Sequence, residues 1–247
     1  MSEFPKTLDD AIAQAQQSTL AALDAGCQRV QIDLAVPEIA LQGQAIARSF
    51  ADLFASYDSS LKILFPDTGA SALARRDWGE TSFSVSDLGS SRTPIEMKIS
   101  DEDRLFLVVC PSAVEVGQVE KLCNLALDRP VILLAPQLES VAIVGIGYAA
   151  RQLRDRFLST LETSYYLRPF EGGAVVRAYP GLWQVWLEKE GGEYELLTEE
   201  SQQPMGEALE RLLLGESESQ TPTETSSKVK KKGFLDNLQQ MLRALTQ

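Results

Sequence analysis

Gly145-Ile146-Gly147-Tyr148-Ala149-Ala150 follows the apolar run Val141 to Val144 and opens a predicted helix. Glycines at that spacing let backbone amides approach a pyrophosphate at a helix N-terminus, and Arg151 and Arg154 follow closely enough to help hold phosphate. Three features weigh against this chemistry. The motif comes late in the series of strands, Tyr148 is bulky where backbone should approach, and no acidic residue ends a next strand about twenty residues on. A glycine-assisted turn from strand to helix accounts for the same residues. A second candidate is Asp67-Thr68-Gly69, at the carboxyl end of a predicted parallel strand, with Arg75 and Arg76 close behind. There Asp67 could position a ligand and the arginines could bind an anion. The commoner use of such residues is a helix cap followed by solvated arginines.

Other reactive residue types lead nowhere specific. Asp101-Glu102-Asp103 lacks the glycine and ligand spacing of a calcium loop and reads as a solvated turn. Cys110 follows an apolar strand with no base beside it in sequence, so it reads as a buried structural thiol. The chain has no histidine. That removes Ser-His-Asp and Cys-His nucleophiles and any His-ligated zinc or haem. No catalytic residue, metal ligand or cofactor is assigned.

The 247 residues carry a formal net charge of -12, which disfavours nucleic acid as a partner. Three cysteines in no framework spacing indicate a reducing compartment. The N-terminus carries neither a secretory signal nor a transit peptide, and no apolar run approaches the roughly 18 residues of a membrane span.

The elements that would position these residues follow a strand–helix grammar. A helix starts at Thr7 and stops near Gly26, with Leu8, Ile12, Ala15, Thr19 and Leu23 on one face. Strands are predicted at Val30–Leu34, Leu61–Phe65, Leu105–Cys110 and Val131–Leu134, with helices around Ile46–Tyr57, Ala72–Trp78 and Val114–Ala126 between them. Weaker strands are predicted at Phe83–Val85 and Ile95–Ile99, and a helix over 148–162. Short strands separated by Gly172-Gly173, Pro180-Gly181 and Gly191-Gly192 then imply an antiparallel meander, closed by a helix at Met205–Leu214. The expected architecture is α/β: a three-layer, mostly parallel sheet with flanking helices, plus the C-terminal meander and a tethered amphipathic helix. Residues 1–214 form one domain, 215–227 a disordered linker without large apolar residues, and 228–247 a basic amphipathic helix.

In that last segment Phe234, Leu235, Leu238, Met241, Leu242 and Leu245 make one apolar stripe, preceded by Lys228, Lys230, Lys231 and Lys232. Five basic residues against one acid put +4 on the tail and -16 on the remainder. Lysines at a helix N-terminus oppose the macrodipole, so they point to an external anionic surface rather than to helix stability. Basic residues beside an apolar face are the two-signal pattern of reversible membrane attachment. Docking on a partner protein, or back onto the acidic domain, uses the same pattern.

A series of short stretches resembles a known family. They are Phe65-Pro66-Asp67 with Gly69; Val109-Cys110-Pro111-Ser112; Arg129-Pro130-Val131-Ile132-Leu133-Leu134 with Pro136; Arg154 to Phe157; Tyr166 with Arg168-Pro169; Arg177-Ala178-Tyr179-Pro180 with Trp183; and Gln203-Pro204. Together they span about 28–214 and are similar to a cyanobacterial and chloroplast family whose domain has no known function. That family includes a plant assembly factor of the Low PSII Accumulation type, and in some plastid proteins a similar domain is fused to an adenylate kinase. The resemblance implies a photosynthetic organism, a role in photosystem II biogenesis, and a cytoplasmic protein held peripherally at the thylakoid. It assigns no catalytic residue. Typical members carry Asn before the proline that ends the Val131 strand; here Ala135 stands there.

The leading expectation is a non-enzymatic assembly factor at the thylakoid surface, with an anionic membrane or assembly intermediates as partners. The alternatives are a nucleotide- or phosphate-binding enzyme or sensor, and a protein-binding module whose tail docks a partner. An apolar crevice at the strand carboxyl ends would favour the first, and a polar one would favour ligand binding.

Overall fold

The computed structural model describes residues 3–36, 39–90, 92–138 and 148–215, the side chains of 148–150 excepted. These form a unit ending at Met205 and a second beginning at Gly206. In the first unit, strands β1 (Arg29–Leu34), β2 (Leu61–Phe65), β3 (Ser84–Asp87), β4 (Leu105–Val109), β5 (Val131–Leu134), β6 (Glu162–Phe170), β7 (Gly173–Ala178), β8 (Trp183–Glu188) and β9 (Tyr194–Glu200) make one nine-stranded sheet. Its order is β3-β2-β4-β5-β1-β6-β7-β8-β9. Pairing is parallel from β3 through β6 and antiparallel from β6 to β9. The α/β architecture anticipated from the alternation of strands and helices is therefore present, with the meander built onto the parallel half of the same sheet.

Alternate residues of the central strands feed two cores, which makes three layers. On the first face, Ile32, Leu34, Ile63, Leu107 and Ile132 pack with α1 (Leu8–Asp24), α2 (Ile39–Leu53) and α3 (Thr68–Trp78). On the second, Leu64, Phe106, Val108 and Leu133 pack with α4 (Val116–Ala126) and with Leu153 and Phe157, on and just after α5 (Tyr148–Arg156). The N-terminus of α1 is fixed by a reciprocal cap. Asp10 N donates to Thr7 Oγ1 at 3.1 Å, and Thr7 N donates to Asp10 Oδ2 at 3.0 Å. Small residues, Ala11, Ala15, Ser18 and Ala22, form the buried stripe of α1 and let the helix lie close to the sheet.

Several local expectations are corrected. Ile95–Met97 is one 3₁₀ turn rather than a strand; Pro94 precedes it, and Ile95 is a buried plug in the second core. α2 begins at Ile39, earlier than predicted, because Ile39, Gly43, Ile46, Ala47 and Phe50 already hold the helical spacing; Gly43 hides the pattern. It ends at Leu53, and a 3₁₀ segment, Ala55–Ser60, follows. α5 is shorter than 148–162. Asp103 is not solvated. Only 4% exposed, it receives the Lys62 ammonium at 2.8 Å, and Arg129 donates to the Ser100 carbonyl at 2.8 Å from across the same loop. Lys62 lies on a strand buried along its length, so its charge needs a partner, and the acidic loop supplies one.

The second unit's described part is α6 (Glu207–Leu214), ended by Gly215 in the left-handed conformation at φ 72°. Among the described residues no helix is long and apolar enough to cross a membrane. The linker from 216 and the whole basic tail, including Lys228 and Phe234, lie outside the described residues, as do Gly145 and Gly147.

Candidate functional site

Open α/β sheets form crevices where neighbouring strands send their following helices to opposite faces. Two such points exist here. β2 leads to α3 on the first face while its neighbour β4 leads to α4 on the second; β1 leads to α2 on the first while its neighbour β5 leads to α5 on the second.

At the β2 and β4 ends the polar groups turn back on their own backbone. Asp67 Oδ1 accepts from Ala70 N at 2.9 Å and caps α3, and Gly69 leaves room for that carboxylate. Thr68 Oγ1 donates to Asp87 Oδ2 at 3.2 Å, where Lys98 Nζ also donates at 3.0 Å. Glu115 Oε2 accepts from Ser112 N and Oγ at 2.9 and 2.7 Å. Arg75 donates to the Val85 carbonyl at 3.0 Å and ties α3 to β3, while Arg76 pairs at 2.7 Å with its neighbour Asp77 on the same helix. Arg151 and Arg154 are exposed on α5. Gly145 and Gly147, the other members of that set, lie outside the described residues.

The β1 and β5 ends are different. An open cleft of about 510 Å³ runs along them and along β6, lined by Asp33, Val36, Ile39, Ala135, Pro136, Gln137, Arg168 and Pro169. Asp33 and Arg168 reach it because β6 pairs beside β1 with Asp33 opposite Tyr166, two residues before Arg168. Two-residue periodicity then puts Tyr166 and Arg168 on one face of β6. Burial pushes the Asp33 carboxyl up to about 6, against the opposing pull of the Arg168 guanidinium. Among the described residues nothing donates a hydrogen bond to that carboxyl. The cleft therefore holds a desolvated acid and a guanidinium between aliphatic and proline walls.

A second groove of about 510 Å³ lies between α1 and the β7–β8 turn, lined in part by Gln14, Gln184 and Glu199. Two of its amides are engaged: Gln14 accepts from the Tyr165 hydroxyl at 3.1 Å, and Gln184 donates to Glu199 at 2.8 Å.

Around the Asp33 cleft, residues far apart in the chain assemble. The Tyr166 hydroxyl, its pKa raised by burial, meets the Arg168 and Gln203 side chains, which pull the other way. The Tyr166 ring stands edge-on to Trp183 at 5.1 Å. Arg177 lies over Trp183 at 5.3 Å and pairs with Glu162 at 2.8 Å. Tyr166, Arg168, Arg177, Trp183 and Gln203 all belong to the stretches on which the family resemblance rests. A family model described as a domain of unknown function (DUF1995) matches residues 5–211.

The chain belongs to the DUF1995 family.

No curated protein and no solved structure matches it. In this DUF1995 domain Ala135 stands at the crevice with φ 46°, a left-handed conformation that Asn tolerates better than Ala. The Asn expected before that proline thus has a backbone reason. Cys110, at the equivalent end of β4, has the same φ of 46°. Burial pushes its thiol up to about 11, the opposite of the shift that activates a nucleophilic thiolate. Asp33 itself escapes a reading of the sequence. Its one signal is an acid near the carboxyl end of an alternating strand.

Proposed function

We propose that the body of this protein is a ligand-binding module, with an accessory rather than a catalytic role, and that its ligand occupies the crevice at the carboxyl ends of β1, β5 and β6. One observation carries this reading: the crevice holds Asp33 without a hydrogen-bond donor, facing Arg168. A partly buried carboxyl in that condition costs stability, and a bound donor would offset the cost. A polar cleft of this kind fits the ligand-binding alternative better than a purely structural assembly factor. The nearby thiol is not activated and the chain has no histidine, so no base-activated nucleophile of the Ser-His or Cys-His type adjoins the crevice.

The setting we propose is an anionic membrane surface in photosystem II biogenesis, with residues 228–247 as the attachment. The sequence of that tail and the family resemblance support it. Vesicles containing an anionic phospholipid should float the full chain but not a chain ending at Ser227, and bound protein should fall as salt rises. Equal flotation of both chains would remove the attachment role. The ligand-binding reading has its own test: amide spectra of the full chain titrated with small polar molecules. Residues at 33–36, 135–137 and 166–169 are expected to shift together.

A further inference from the structure

Among the described lining residues the crevice carries one acid, Asp33, and one base, Arg168. A polyphosphate would pair with Arg168 but meet Asp33 as a like charge. A divalent cation would pair with Asp33 but meet the guanidinium. Among the described residues no group of three or more His, Cys, Asp or Glu is placed to hold a metal ion. Apart from Gln137, the other described side chains of the lining are apolar, Val36, Ile39, Pro136 and Pro169 among them. Such walls accept a hydrocarbon or aromatic body.

Resting on the ligand-binding reading above, we propose that the crevice takes a small amphipathic zwitterion: a primary ammonium at Asp33, a carboxylate at Arg168, and an apolar body between the aliphatic and proline walls. Each half of the pair supplies what the other end of the ligand lacks. The Asp33 carboxyl accepts charged N–H donors that nothing else among the described residues provides. Arg168 is exposed at the mouth, and its planar fork matches a carboxylate in a two-point contact. The Tyr166 hydroxyl meets the Arg168 side chain beside the crevice. The volume of about 510 Å³ leaves room for an α-amino acid with a bulky side chain.

Three probes that share a phenyl group separate the contributions. L-Phenylalanine carries both charges, 3-phenylpropanoate lacks the amine, and 2-phenylethylamine lacks the carboxylate. Each is titrated at millimolar concentration into the isotopically labelled full chain. L-Phenylalanine is expected to bind about tenfold or more tightly than either partial analogue, the worth of one charge-assisted hydrogen-bonded contact. Shifts are expected at the amides of Val36, Ala135 and Arg168. Asp33→Asn should weaken L-phenylalanine about tenfold and leave 3-phenylpropanoate unchanged or tighter, whereas Arg168→Met should weaken both acids and spare 2-phenylethylamine. The unmodified chain with the three probes decides the matter even if a variant folds poorly. If 3-phenylpropanoate binds in the crevice as tightly as L-phenylalanine, the zwitterion is wrong and the ligand-binding reading stands. If no probe moves the crevice amides, or all act elsewhere, both fail.

Discussion

Asp33 sits where a carboxylate is poorly solvated, and its titration makes that measurable. The carboxyl has an ordinary pKa of 3.8 and is raised to about 6 by burial, so the folded chain holds its proton more tightly than the unfolded chain. The contribution to stability is fully present below the unfolded value and is lost as pH rises through the folded one. Relative to Asp33→Asn, which has nothing to ionise, the natural chain should lose on the order of 2–3 kcal/mol between about pH 4 and pH 7. Urea midpoints of both chains across that range test it; parallel curves would mean that Asp33 is not desolvated. The same residue shows why the site was hard to read in the sequence. Val30, Ile32 and Leu34 alternate cleanly, which assigns Gln31 and Asp33 to the face that a two-strand picture leaves in water. They are half-buried, and β6, about 130 residues later in the chain, returns to pair beside β1 and sets Thr163 and Tyr166 next to them. Asp67 was legible for the opposite reason. A helix cap acts within three residues, so the sequence contains both of its partners.

At the scale of elements the same division holds. Buried parallel strands are continuous apolar runs, and β2, β4 and β5 are found at their predicted positions. The short 3₁₀ turn at Ile95–Met97 reads as a strand because one buried side chain imitates half of an alternation. Paired glycines are also ambiguous. Gly172-Gly173 signals a hairpin, but the two residues do different work. Gly172 supplies φ 79° in the turn, with open space where a side chain would go. Gly173 begins β7, and a Cβ there would lie 2.2 Å from the Trp186 carbonyl oxygen of the paired strand and 2.6 Å from the Phe170 ring. Gly172→Ala should therefore cost about 1–2 kcal/mol, the left-handed penalty. Gly173→Ala should cost about 3 kcal/mol or more, since a backbone carbonyl cannot move aside without opening the β7–β8 pairing. Thermal unfolding of the two variants, with amide exchange on β7 and β8, distinguishes these costs. Equal losses would show that both glycines serve the turn alone.

Across the whole sheet-bearing unit, the parallel half and the meander share one core. The first-face cluster runs without a break from Phe65 and Phe83 beside the β3 edge to Val176 and Trp186 in the meander. α1 packs on β1, β6 and β7, so it bridges both halves. The chain start extends the bridge: the Phe4 ring stacks on Tyr194 of β9 with centroids 3.8 Å apart and tilts against Trp186 at 5.6 Å. A residue beside the N-terminus thus helps hold the last strand, and the sheet cannot lose its meander without uncovering α1. Unfolding should therefore be a single transition for this unit. The tryptophans allow a direct test, because Trp78 lies on α3 in the parallel half while Trp183 and Trp186 lie on β8. In a Trp78→Phe chain, fluorescence follows the meander alone while far-UV circular dichroism follows the whole unit. Their urea midpoints should coincide. Adding Phe4→Ala should lower both midpoints together, for a stability loss of about 2–3 kcal/mol, the cost of deleting a half-buried aromatic ring that joins two elements. A fluorescence midpoint that moves while the dichroism midpoint stays would show the meander opening by itself. The crevice would then border a separable element, because Arg168 and Tyr166 stand on β6, the strand where parallel pairing gives way to antiparallel.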